Sequence, residues 1–166
     1  VVLIAESFSG PLALLVADRC PRVVSIVLSA TFVERPLPGF LAHVPVLLWR
    51  HPPPIALISL VLTGGDRVLA HEIRRTLDTV SGNVLASRAR TALNVDVRAA
   101  LERYARPMLY LRGTRDRLIR ARCAERLHAL KPSARIVDIE APHMLLQCRP
   151  AGAWAWITSF IERSGD

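Results

Sequence analysis

Lysine is almost missing from this chain: of 22 basic residues, Lys131 is the single lysine. Aromatic side chains are scarce too, at 5%, and supply few platforms on which a base could stack. The arginines that carry the net charge of +8 are spread along the sequence and punctuate helix faces, as at Arg67, Arg74, Arg75, Arg88, Arg90 and Arg98. Basicity of this scattered kind reports solubility and non-specific attraction, which argues against a nucleic-acid partner. Cysteine is limited to Cys20, Cys123 and Cys148, an odd number without C-x-x-C spacing, so neither a disulfide framework nor a zinc site is expected and a reduced, cytoplasmic setting is the default. No apolar run reaches the roughly 18 residues of a membrane span. Val44 to Leu62 comes nearest, and Arg50, His51 and Pro52 to Pro54 break it. The apolar opening lacks a basic lead-in and carries Glu6, unlike a secretory leader. Internal repeats and low-complexity tracts are absent.

Apolar residues, by contrast, make up 51% of the 166 residues, and the mean hydropathy of +0.30 suits strands covered on both faces. The pattern predicts strands at Val1 to Ile4, Val23 to Ser29, Met108 to Leu111 and Arg135 to Ile139. Helices are predicted at Ser9 to Asp18, Arg120 to Leu130 and Ala151 to Ile161, the first ended by Cys20-Pro21. Alternation of this kind implies right-handed crossovers and a parallel sheet flanked by helices, an α/β fold. Between Thr31 and Ala105 the strand signals stop. Prolines 36, 38 and 52 to 54 connect helical patterns at Asp66 to Val80, Asn83 to Leu93 and Asp96 to Tyr104, with Gly64-Gly65-Asp66 as a turn into a helix cap.

The chemistry concentrates in three short segments. In VVLIAESFSG (Val1 to Gly10) a buried strand runs into a small-x-Ser-x-small turn and then a helix. Such a bend holds the Ser7 hydroxyl clear of both elements as a candidate nucleophile, and Ala5 and Ser9 are small enough to let the backbones approach. Glycine is usual at both places; here Gly10 follows immediately and lets the helix start pack closely. A serine at neutral pH needs a base, itself oriented by an acid. Downstream, PMLYLRGTRDRLI (Pro107 to Ile119) is a strand ending in a loop with Asp116, and IEAPHMLLQCRP (Ile139 to Pro150) is a strand end and loop with His143. The order is Ser, Asp, His, each in a loop after a parallel strand, so all three point to one rim of the sheet.

With these motifs in this order the chain resembles the α/β-hydrolase superfamily, in its serine esterase and lipase-like branch, from the strand before the nucleophile onward. The resemblance implies that Ser7 is the nucleophile, His143 the general base and then acid, and Asp116 the residue that orients His143. It also makes the backbone N–H of Phe8 one oxyanion-hole donor. The second donor of the superfamily comes from a loop well before the serine turn, which these residues do not include. The chain is accordingly expected to be the C-terminal part of a longer hydrolase: residues 1–30 and 106–166 are hydrolase core, and residues 31–105 are a mostly helical cap over the catalytic rim. Val1 to Ile4 then form an exposed apolar edge open to self-association.

Other residues offer alternatives at each position. Glu34, after the preceding strand, and Asp96, near the end of the cap, are alternative carboxylates. His43, His51, His71 and His128 fall in the cap or on a helix and suit surface or packing roles, and Cys148, with no turn to present it, suits a buried structural thiol. Leu41, Val46, Leu47, Leu48, Trp49, Ile55, Leu57 and Leu60 either line an acyl or aryl pocket or pack the cap onto the sheet. A serine nucleophile argues against the dehalogenase and epoxide hydrolase branches, whose nucleophile is a carboxylate. What the resemblance implies is acyl transfer to Ser7 from a small-molecule ester, thioester, lactone, amide or related substrate, without metal or organic cofactor. The alternative is a non-catalytic fragment or a module that pairs with a partner chain.

Overall fold

In the computed structural model, residues 1–37 and 50–164 are described. Leu41, His43, Val46, Leu47, Leu48 and Trp49 lie outside the described residues. Four strands form one parallel sheet in the order β1 (Val2–Glu6), β2 (Ser25–Ser29), β3 (Met108–Gly113) and β4 (Arg135–Ile139). Pairing runs Val2 to Ser25, Ile26 to Met108 and Leu109 to Arg135 at the start of each ladder.

β2 is buried along its whole length, because successive side chains point to opposite faces and both faces are covered. On one face Ile26, Leu28 and Tyr110 pack with Leu14 of α1 (Ser9–Arg19), Leu101 of α5 (Arg98–Arg103) and Leu127 of α6 (Ala121–Leu130). On the other, Val27, Leu109 and Leu111 meet Ala153, Ile157 and Phe160 of α8 (Pro150–Ser164). Pro11 sits in the first turn of α1, where its missing N–H is not needed. Arg103 grips Asp18 with two hydrogen bonds of 3.0 and 2.7 Å and ties α5 to the end of α1. β1 has β2 as its single neighbour among the described strands, and Ile4 stays 44% exposed; Leu12, Leu15 and Val16 of α1 are exposed as well.

Between β2 and β3 the described chain is helical: α2 (Ile55–Ile58) continuing into a π-helical turn (Ser59–Thr63), α3 (Arg67–Asp78), α4 (Gly82–Asn94) and α5. Asp66 caps α3 by accepting the Leu69 N–H at 3.0 Å, and Ser81 caps α4 through the Val84 N–H at 3.4 Å. The π-turn reaches the end of the sheet, where Leu62 O accepts the Met144 N–H at 2.9 Å. A short helix, α7 (Leu145–Cys148), follows that contact. None of the described helices is long and apolar enough to cross a membrane.

Candidate active site

Ser7 stands one residue past β1 with φ of 54°, in the left-handed region that L side chains avoid. The surroundings hold it there. Its N–H donates to Ser29 O at 2.9 Å, and its carbonyl accepts the Gly10 N–H at 3.1 Å and the Thr31 hydroxyl at 2.5 Å. The Ser9 hydroxyl closes the bend by accepting the Glu6 N–H at 2.9 Å and donating to Glu6 O at 2.7 Å. Gly10 is required by a close approach: a Cβ there would lie 2.1 Å from Thr31 Oγ1. The strained turn is thus clamped on both sides, which is how an unfavourable backbone conformation persists.

The acid and the histidine arrive from β3 and β4. Gly113 lets their loops meet, since a Cβ there would sit 2.7 Å from Ala141 O. Thr114 N–H then donates to Ile139 O at 2.9 Å and Arg115 N–H to Ala141 O at 3.1 Å. Asp116 turns its carboxylate inward. Oδ1 accepts the N–H groups of Leu118 and Ile119, both at 2.8 Å, and Oδ2 lies 2.9 Å from His143 Nδ1. The other ring nitrogen, Nε2, is 2.8 Å from Ser7 Oγ. With Nδ1–H donating to the carboxylate, Nε2 is the acceptor and the Ser7 hydroxyl the donor. The Asp116 and His143 side chains are 1% and 3% exposed, so the bond between them is almost out of contact with water, while Ser7 is half-buried.

All three residues singled out in the sequence therefore meet. The alternative carboxylates do not join them: Glu34 and Asp96 face each other across an isolated bridge, Glu34 paired with Arg126 at 2.5 Å and Asp96 with Arg98 at 2.6 Å. His51, His71 and His128 are exposed. Burial pushes the Cys148 thiol up from its ordinary pKa, the behaviour of a structural rather than a reactive cysteine. Among the described residues, the Phe8 N–H makes no backbone hydrogen bond. Beside Ser7 opens a cavity of about 150 Å³, walled by Phe32, by Ala89, Ala92 and Leu93 of α4, and by Leu118 and Ile119 after the acid.

Solved structures share this arrangement of strands and helices. A hydrolase from Pseudomonas aeruginosa PA01 superposes with a TM-score of 0.80 at 20% identity, over 95% of this chain and 63% of that one. A thermophilic esterase from Thermogutta terrifontis gives 0.80 at 18% identity, over 99% and 65%. The enol-lactonase from Burkholderia xenovorans LB400 gives 0.70 at 18%, over 96% and 64%. This chain has an α/β-hydrolase fold. It spans less than two thirds of the length of these hydrolase structures, and so comprises part of that fold. No protein-family model and no curated protein sequence matches it.

Within the hydrolase fold, two supporting side chains, Glu6 and Thr31, escaped the sequence reading. The Glu6 carboxylate accepts the Leu146 N–H at 3.0 Å and the Ser29 hydroxyl at 3.3 Å. It joins the residue before Ser7 to the start of α7, three residues after His143. Thr31 is likewise a support for the serine turn that its position in the sequence does not reveal. The signal open to sequence reasoning was a charged residue at the end of an apolar strand, which needs a partner wherever it is buried.

Proposed function

We propose that the protein is a serine hydrolase that cleaves carboxylic esters or related acyl compounds through Ser7, His143 and Asp116. The observation that carries this reading is the hydrogen-bonded series Ser7 Oγ, His143 Nε2, His143 Nδ1, Asp116 Oδ2, with steps of 2.8 and 2.9 Å, built on a serine held at positive φ. In the first half-reaction Nε2 takes the Ser7 proton as Oγ bonds to the substrate carbonyl carbon. The carbonyl oxygen becomes an oxyanion facing the Phe8 N–H. Collapse breaks the bond to the leaving group, which receives the proton from Nε2, and leaves an acyl-serine. Water then attacks that ester, giving its proton to Nε2, and the carboxylic acid departs as Ser7 is reprotonated. Asp116 keeps the Nδ1–H tautomer throughout.

In this reading the segment between residues 31 and 105 supplies a cap. Helix α4 walls the cavity beside Ser7 and the π-turn buttresses the His143 loop, whereas α5, with Leu101 packed among Ile26, Leu28 and Leu14, covers the sheet and belongs with the core, so the cap ends before it. The test is labelling with a fluorophosphonate probe, mapped by intact mass and peptide analysis, beside Ser7→Ala and a circular-dichroism check of folding. One adduct at Ser7, lost in the variant, is expected; a folded chain that stays unlabelled refutes the reading.

A second reading rests on β1, whose outer edge has no partner among the described strands and whose Ile4 is exposed. Here the chain pairs with a second copy along β1. Sedimentation velocity is expected to show a concentration-dependent dimer that Ile4→Lys shifts towards monomer, and a monomer at all concentrations overturns it.

A further inference from the structure

The cavity beside Ser7 has two properties that bear on the substrate. Among the described residues, its walls carry no charged side chain and, apart from Ser7, no side-chain hydrogen-bonding group; Phe8, Phe32, Leu37, Ala92 and Leu118 typify them. Its volume of about 150 Å³ is that of a hydrophobic cavity that accepts a benzene ring. Such a space takes an uncharged group of roughly four to seven carbons and excludes a carboxylate, which would lose its hydration without gaining a partner.

The geometry also distinguishes the two halves of an ester. The leaving oxygen must lie next to His143 Nε2 to receive its proton, yet neither His143 nor Asp116 lines this cavity. The group that enters past Ser7 and Phe8 is therefore on the acyl side of the carbonyl. Depth is set from α4, where Ala89 and Ala92, three residues apart, share one face and contribute only methyl groups.

Resting on the acyl-transfer reading above, we infer that this cavity is the acyl pocket, and that the substrates are esters of short apolar acids, from butanoyl to benzoyl in size, selected by Ala89 and Ala92.

The test uses p-nitrophenyl esters from acetyl to decanoyl, with intact mass of the acyl-enzyme as a second readout. Burial of each methylene raises kcat/KM by about fourfold, so butanoyl is expected to exceed acetyl by about 15-fold. Decanoyl is expected to fall below butanoyl. A glutaryl half-ester is expected at least about 100-fold below pentanoyl, because its carboxylate enters the apolar space. Ala92→Leu, and independently Ala89→Leu should the first fold poorly, is expected to bring the butanoyl-to-acetyl ratio from about 15 towards 1. With butanoyl held constant, lengthening the alcohol from ethyl to hexyl is expected to change kcat/KM less than about threefold. Acetylation of Ser7 with no dependence on acyl length, or chain-length dependence that follows the alcohol, overturns the pocket assignment and leaves the hydrolase reading standing. Failure of every ester to modify Ser7 overturns both.

Discussion

Replacing Gly10 with alanine places a methyl carbon 2.1 Å from Thr31 Oγ1, 2.7 Å from its Cγ2 and 2.8 Å from its Cβ. Thr31 is fully buried, so its side chain has no free volume into which to rotate. Two losses follow. Overpacking of this kind costs about 1 to 3 kcal/mol, and displacement of the hydroxyl from Ser7 O gives up about 1 kcal/mol of hydrogen bonding. Opposing them, alanine is preferred to glycine in a helix by about 0.5 to 1 kcal/mol, and less in a first turn. The steric terms win, and Gly10→Ala is expected to destabilise the fold by about 1 to 3 kcal/mol. With a urea m-value of roughly 2 kcal/mol/M, the midpoint falls by about 1 M. Thr31→Ala removes the two nearest atoms, so the double variant is expected to be more stable than the two single effects combined, by at least about 0.5 kcal/mol. Because both groups grip the Ser7 carbonyl, probe labelling of Ser7 should slow in Gly10→Ala as well. A Gly10→Ala protein as stable as the parent, or more stable by the helical gain, refutes the claim that this contact holds the turn.

Asp116→Asn keeps the shape but sets an amide N–H against Nδ1, forcing the opposite tautomer. Ser7 labelling is expected to slow by about 10⁴, as in a comparable triad, with an unchanged circular-dichroism spectrum. Glu6→Ala leaves the Leu146 N–H and Ser29 hydroxyl without their acceptor and is expected to cost about 1 to 3 kcal/mol in urea denaturation; Glu6→Gln, which retains a carbonyl oxygen, should recover most of it. Burial pushes Tyr104 up to about 12, and burial with the neighbouring Cys123 pushes Tyr110 higher. Each phenol thus favours its neutral form in the folded state, and the stabilisation is complete below pH 10 and lost as pH rises through the folded pKa values. The urea midpoint is expected to fall from pH 10 to 12, and Tyr104→Phe to flatten that fall; a midpoint level across the range would contradict it.

Much of the site was legible because its signals are local. Each of Ser7, Asp116 and His143 follows a strand that apolar residues mark, and Arg135–Ile139 is bounded as the pattern predicts. Where expectation and structure part, long-range partners are responsible. β1 runs on through Glu6 rather than stopping at Ile4, since the carboxylate finds Ser29 and Leu146, the latter 140 residues away. β2 starts at Ser25 rather than Val23, because the Val23 N–H closes a turn on Cys20 O. The helical segment Ile55–Thr63 lay hidden behind Pro52 to Pro54, read as connectors, and its π-turn is stabilised at the His143 loop. Helix α7 spans only four residues, too few for a periodic pattern.

The distance along the chain between the hydrogen-bonded Ser7 and His143 has a kinetic consequence. Their contact closes a separation of 136 residues, and every strand pairing between them is parallel and reached by a crossover. Pairings of that kind form late, because the loss of chain freedom precedes the contacts that offset it. Helix α1 can form early from neighbours in sequence, the serine turn is clamped once Ser29 and Thr31 are in place, and His143 reaches Ser7 only when β4 has docked. If Ser7 acts as proposed, its labelling by a fluorophosphonate probe during refolding is therefore a clock for the last step of sheet assembly, and it is expected to lag the recovery of helical signal.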